Sequence, residues 1–237
     1  MKLSEKIKKE IREFADPGKA KLLQGFFKTG KGEYGEGDRF LGVKVPESRG
    51  VAGKYFSEVG LSDIGELIGS SFHEDRLTGL IMLVKKFERA GEKEKKKIFD
   101  FYLAHSGRVN NWDLVDLTAP NIVGKWLVGR DRKIIYKLVR SENIWERRIA
   151  MVSTLSFIKE KDLGDVFRIA EMLLGDGEDL MHKAAGWMLR EAGKKDEKSL
   201  VAFLEKNKRV MPRTMLRYAI ERFDEKRRKE FLLSSKV

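Results

Sequence analysis

A chain of 237 residues with 49 Lys and Arg against 37 Asp and Glu carries a formal charge of +12, and its 41% apolar content suits a packed interior rather than a disordered chain. It has no cysteine and only three histidines, His73, His105 and His182. That excludes disulfides, thiol nucleophiles, cysteine-ligated zinc and iron–sulfur clusters, and the histidine spacings fit no metal motif. The N-terminal MKLSEKIKKEIREF is charged and helical in period, unlike the apolar core of a signal peptide. Apolar runs such as LIMLV at 80–84 fall far short of the roughly 20 residues a membrane span needs. A cytoplasmic protein with no membrane association is expected. The positive balance favours a polyanionic partner, because each neutralised phosphate releases a counterion.

Along the chain, proline is scarce and apolar residues recur every three or four positions. RLTGLIMLVKKF (76–87), KIIYKLV (133–139) and ERRIAMVSTLSFI (146–158) read as amphipathic or buried helices. Asp16-Pro17, Gly60, Gly175-Asp176-Gly177 and Met211-Pro212 mark boundaries, the last placing proline in a first helical turn. No set of alternating strands is present, so the fold class is all-α. The long non-helical stretch is 29–49, which contains a literal G-x-G-x-x-G at Gly30, Gly32 and Gly35. A dinucleotide fingerprint needs a strand before it and a helix opening at its third glycine. Here a helical segment precedes it, and Glu33, Glu36 and Asp38 add negative charge, so the stretch reads as a loop and no cofactor is expected.

A repeat organises the remainder. HEDRLTGLIM (from His73), VNNWDLVDLT (from Val109), IWERRIAMVS (from Ile144), LMHKAAGWML (from Leu180) and MPRTMLRYAI (from Met211) start 36, 35, 36 and 31 residues apart. A period in the mid-thirties with two helices per unit predicts a curved α-solenoid of HEAT-like repeats, one domain over 1–237, with a basic concave groove. In this register Trp112 and Arg147 are equivalent, as are Asp113 and Arg148, and Asp116 and Trp187. Stacked repeats would line one groove with Trp112, Asp116, Arg148 and Trp187. Asp113 suits a helix cap, whereas Asp116 lies a turn further in, between Val115 and Leu117, where a carboxylate has no routine structural task. Arg148, with Lys183 and Arg190, suits phosphates. Indole faces attract cationic groups, and a carboxylate stabilises developing positive charge. DNA carrying a cationic alkylpurine meets all three requirements, since its glycosidic bond is already weakened and its rupture leaves an oxocarbenium-like sugar.

NNWDLVDLTAP (110–120), NIWERRIAMVS (143–153) and HKAAGWMLREAG (182–193), with FLGVKVPESR (40–49) upstream, resemble the AlkD family of DNA alkylation-repair glycosylases, in order along essentially the whole chain. The resemblance implies HEAT-like repeats that wrap duplex DNA, and hydrolysis of N3- or N7-alkylated purine nucleosides without metal or organic cofactor. It further implies that Asp116 is the catalytic carboxylate, that Trp112 and Trp187 contact the sugar and backbone of the lesion, and that Arg148 binds backbone beside it. Catalysis would take place with the lesion still stacked. Family members can carry a tyrosine near the end of the second helix, where this chain reads GFFKTG, with Phe26 and Phe27.

The C-terminal quarter adds ten Lys and Arg between Lys206 and Lys229, consistent with phosphate tracking or with a solvated helix face. The expectation is therefore a monomeric DNA glycosylase acting on duplex DNA with alkylated bases. The alternatives are a non-catalytic paralogue that binds branched DNA through the same groove, and a protein-binding scaffold.

Overall fold

The computed structural model describes residues 2–234, which are largely helical; the one β interaction among them is an isolated parallel bridge between Arg39 and Phe72. The contacts cluster in two compact units, residues 1–118 and 119–237.

The first unit holds α1 (Leu3–Arg12), α2 (Pro17–Phe26), α3 (Val45–Tyr55), α4 (Leu61–Ile68), α5 (His73–Arg89), α6 (Glu92–Ala104), a 3-10 turn (Ser106–Arg108) and α7 (Trp112–Thr118). α2 starts where Asp16 accepts a hydrogen bond from the Lys19 amide and Pro17 supplies a preset helical φ. α5 is the core of the unit. Its residues from His73 to Val84 are all buried, and α3, α4 and α7 pack against it. The non-helical stretch ends at Lys44, so residues 45–49 of the expected loop form the first turn and more of α3.

The second unit opens with a π turn (Pro120–Gly124) running into α8 (Lys125–Leu127), then α9 (Lys133–Leu138), α10 (Ile144–Lys159), α11 (Gly164–Met172), α12 (Asp179–Gly193), α13 (Glu197–Asn207), α14 (Arg213–Ala219) and α15 (Glu225–Ser234). The Asn143 side chain caps α10 through the Trp145 amide. α10 and α14 both pack against α12, each within this unit.

The five aligned segments correspond to α5, α7, α10, α12 and α14, and each is followed in the chain by a second helical element. This is the helix-pair repeat expected from the sequence. α7 starts later in its segment than α5 or α10 does. That helix begins at Trp112, three residues into its segment, because buried Asn111 accepts from the Trp112 amide with its side chain and from the Val115 amide with its carbonyl. Counted from helix starts, Asp116, Arg148 and Lys183 share the fifth position.

α12 meets α14 at Gly186, where an added Cβ would lie 2.5 Å from the Met215 carbonyl oxygen and 2.5 Å from the Tyr218 Cβ. Alanine normally favours a helix interior over glycine. At Gly186 the steric conflict is with backbone and outweighs that preference, so Gly186→Ala should destabilise the protein by about 1–3 kcal/mol, measured by urea unfolding.

Candidate functional site

In the first unit the site is built on α7. Leu114, Val115 and Thr118 anchor the helix inward, and the Thr118 hydroxyl meets the Tyr102 hydroxyl at 2.8 Å. Burial pushes the Tyr102 hydroxyl well above the ordinary phenol range, and nearby Asp116 adds to that effect. Trp112 and Asp116, four residues apart, lie on one face of α7, and both are half-buried. The Trp112 indole stacks on Phe27 at 5.2 Å, with ring planes 20° apart, and takes the edge of Phe26 at 6.0 Å. Phe27 is buried, while Phe26 is 64% exposed beside the indole. An aromatic surface thus adjoins the carboxylate. Among the described residues, no group of three or more histidine, cysteine or acidic side chains is arranged to hold a metal ion.

Behind that surface lies a network the sequence did not disclose. Nδ1 of buried His73 is 3.0 Å from Asp38 and Nε2 is 2.8 Å from Asp113, while Arg76 donates to Asp38 at 2.6 Å. Burial alone would lower the His73 pKa, but the charge and hydrogen bond of Asp113, with those of Asp38, raise it from 6.5 to about 9. Burial likewise pushes the Asp38 carboxyl up, and the bond from His73 with the charge of Arg76 outweighs it, leaving the group below its ordinary value. The next residue, Glu74, accepts from the amides of Leu41, Gly42 and Val43. Asp75 takes both arms of Arg12 and the Ser70 hydroxyl. Phe40 stacks on His73 at 4.6 Å and on Phe27 at 5.0 Å, so the rings form a continuous pile leading to Trp112. A cleft of about 110 Å³ runs beside it, lined by Lys19, Leu23, Phe40, Val43 and Asp113 among others. Four consecutive ionisable residues ahead of an apolar run were the available signal for this cluster. In the glycine-rich loop, the amides of Gly30 and Gly32 donate to Glu33 and Glu36, so acidic side chains occupy the positions a phosphate would need.

The other candidate residues belong to the second unit. Trp187 is half-buried on α12, one turn after Lys183, which pairs with Asp179 at 2.8 Å. Arg190 pairs with Glu221 and lies 3.5 Å from Glu191. Arg148 is buried, 5% exposed, and donates to the Leu180 carbonyl at 2.8 Å, while its neighbour Arg147 pairs with Asp176. Of the four tryptophans, Trp126 and Trp145 are core residues, and the two half-buried ones are Trp112 and Trp187.

Residues 7–223 match the sequence profile of the DNA alkylation repair enzymes. The chain belongs to that family. Its solved relatives include a protein described as a predicted DNA alkylation repair enzyme from Enterococcus faecalis, 16% identical, with a TM-score of 0.68 over 89% of this chain and 97% of that one. At that identity the likeness speaks to the fold. No curated protein matches the sequence. Family membership connects the chain to alkylation repair with DNA as its substrate, and the all-helical repeat fold accords with it. No described helix is long and apolar enough to cross a membrane.

The His73 bridge makes stability depend on pH in this family member. Its folded pKa is raised, so its contribution is complete below the unfolded value of 6.5 and is lost as pH rises through about 9. The thermal midpoint should therefore fall across that interval, by an amount corresponding to a few kcal/mol, and calorimetry of His73→Gln should show the decline largely abolished.

Proposed function

We propose that the chain is a monofunctional DNA N-glycosylase that hydrolyses the N-glycosidic bond of cationic N3- or N7-alkylated purines in duplex DNA, using no metal or organic cofactor. The observation that carries this reading is the pairing of half-buried Trp112 and Asp116 on one face of α7 in a DNA alkylation repair family member.

The chemistry needs little acid assistance. As the C1′–N bond breaks, its electrons pass to the purine, which departs as a neutral base, and positive charge develops on the sugar. The Asp116 carboxylate stabilises that charge and orients the water that adds to C1′, whose proton passes to solvent. The products are free base and an abasic sugar. Trp112 and Trp187 contact the deoxyribose and backbone at the lesion, their indole faces attracting the electron-poor ring. Lys183 and Arg190 bind phosphate, and Arg148, buried and bonded to the Leu180 carbonyl, positions the start of α12 that carries them. Lys183 and Arg190 would exchange their carboxylate partners for phosphate oxygens, and for the solvent-facing Lys183–Asp179 pair the exchange is cheap because such pairs contribute about 0–1 kcal/mol. The protein acts as a monomer in the cytoplasm.

Asp116→Asn should slow release of 7-methylguanine from duplex DNA by about 10²–10³-fold, the effect of losing one preorganised charge. Chromatography of the released base checks this, and equal rates in the two proteins would remove Asp116 from the mechanism. Absence of release by the wild type, with DNA binding intact, would favour a non-catalytic DNA-binding role. Lys183→Gln should weaken binding uniformly across sequences and flatten the plot of log K against log salt by about one unit. Binding titrations at several salt concentrations measure that slope.

A further inference from the structure

His73 takes no part in the proposed chemistry, yet its surroundings are built around it. The ring is 2% exposed, and each nitrogen faces a carboxylate oxygen, Asp38 on one side and Asp113 on the other. A neutral imidazole has one N–H and donates to one of them; its other nitrogen would then present a lone pair to an anion. Only the imidazolium satisfies both. Asp113 is the second residue of α7, directly after Trp112, and Asp38 lies 35 residues before His73 in the loop that carries Phe40. The same ring also stacks on Phe40 and lies 5.1 Å from Phe27, the ring on which Trp112 rests. Both the backbone start of α7 and the aromatic support of its indole therefore converge on one side chain.

We propose that His73 is a positioning residue for the reaction: by bridging Asp113 to Asp38 and supporting the Phe27–Phe40 stack, it sets the orientation of Trp112 and, through α7, of Asp116. The catalytic part of this rests on the glycosylase reading above; the bridging part does not. The other charged groups around the ring are Arg76, which holds Asp38 from the same helix, and Glu74, Lys19 and Lys44, which line the adjoining cleft. Glu74 is committed to the amides of residues 41–43. The direct partners of the imidazole remain Asp38 and Asp113, and loss of its proton breaks the bridge at one of them.

Two measurements on the full chain test this. The first is the emission of Trp112, taken as the difference between wild type and Trp112→Phe, titrated from pH 7 to 10.5 at a temperature where circular dichroism shows a folded protein. It should change with a midpoint near the His73 pKa of about 9, and the same difference taken in a His73→Gln background should lack that transition. The second is single-turnover release of 7-methylguanine from duplex DNA at pH 7.5 with saturating enzyme. His73→Gln and Asp113→Asn should each lose about tenfold or more in rate, with DNA affinity within about twofold of wild type, as expected for misplaced rather than missing groups. A pH-invariant Trp112 emission overturns the bridge even if His73→Gln fails to fold, because that titration needs only the wild type and Trp112→Phe. Unchanged release by both folded variants overturns the positioning role. A wild type that releases no base overturns the glycosylase reading, and the bridge then stands or falls on the emission alone.

Discussion

The first unit depends on burying four ionisable residues in succession. His73, Glu74, Asp75 and Arg76 form the first turn of α5, and none is more than 2% exposed. Charge is costly to take from water, and removing one partner of a buried pair typically costs about 3–5 kcal/mol because the other is left uncompensated. Each of the four is accordingly matched to a different part of the unit. His73 holds the start of α7, Glu74 the segment at 41–43, Asp75 the end of α1, and Arg76 the loop at Asp38. Apolar packing along α5 supplies the bulk attraction but is non-directional. The charged turn gives direction, since each carboxylate or cation accepts only a partner of the right sign in the right place. The two acidic residues also lie at a helix N-terminus, where the backbone dipole favours them.

Much of this architecture was legible beforehand. The spacing of apolar residues revealed α5, α9 and α10, and the mid-thirties repeat revealed which helices are equivalent. The late start of α7 was not legible, because VNNWDLVDLT aligns by its apolar positions while the start of the helix is decided by Asn111, a polar cap that such alignment ignores. The tryptophans show a similar division. Hydrophobicity treats all four alike, but only Trp126 and Trp145 are core, and the repeat register, joined by the motif resemblance, singled out Trp112 and Trp187. The charged turn escaped notice for another reason. HEDR reads as an ordinary solvated helix start, and its charged partners and the amides that Glu74 holds lie 31–63 positions away in sequence.

Net charge was informative about the class of partner and less so about individual residues. Arg148 resembles an exposed phosphate ligand in sequence, but its guanidinium lies within the second unit and bonds the Leu180 carbonyl. Toward the C-terminus, Lys206, Lys208, Arg227 and Lys229 each pair with a nearby glutamate. A surface of this kind keeps its cations poised in weak internal pairs. Excess positive charge then acts at long range in steering a polyanion, while local contacts are exchanged at little cost.

The contacts of residues 38–43 bear on how far the chain can be remodelled. The turns at 30–37 are fastened mainly to themselves, through Glu33, Glu36 and the end of α2. By contrast, Asp38 and the amides of Leu41, Gly42 and Val43 neutralise groups deep in α5. The two halves of what looks like one insertion thus have opposite tolerances. The exposed tip at 31–33 is a place to carry a label, whereas buried Gly35 packs against the Phe27 carbonyl. Residues 38–43 act as an interior element despite lacking regular secondary structure, and a deletion reaching into them would leave Arg76 without its carboxylate, Glu74 without its amide donors and His73 with Asp113 alone in the centre of the unit.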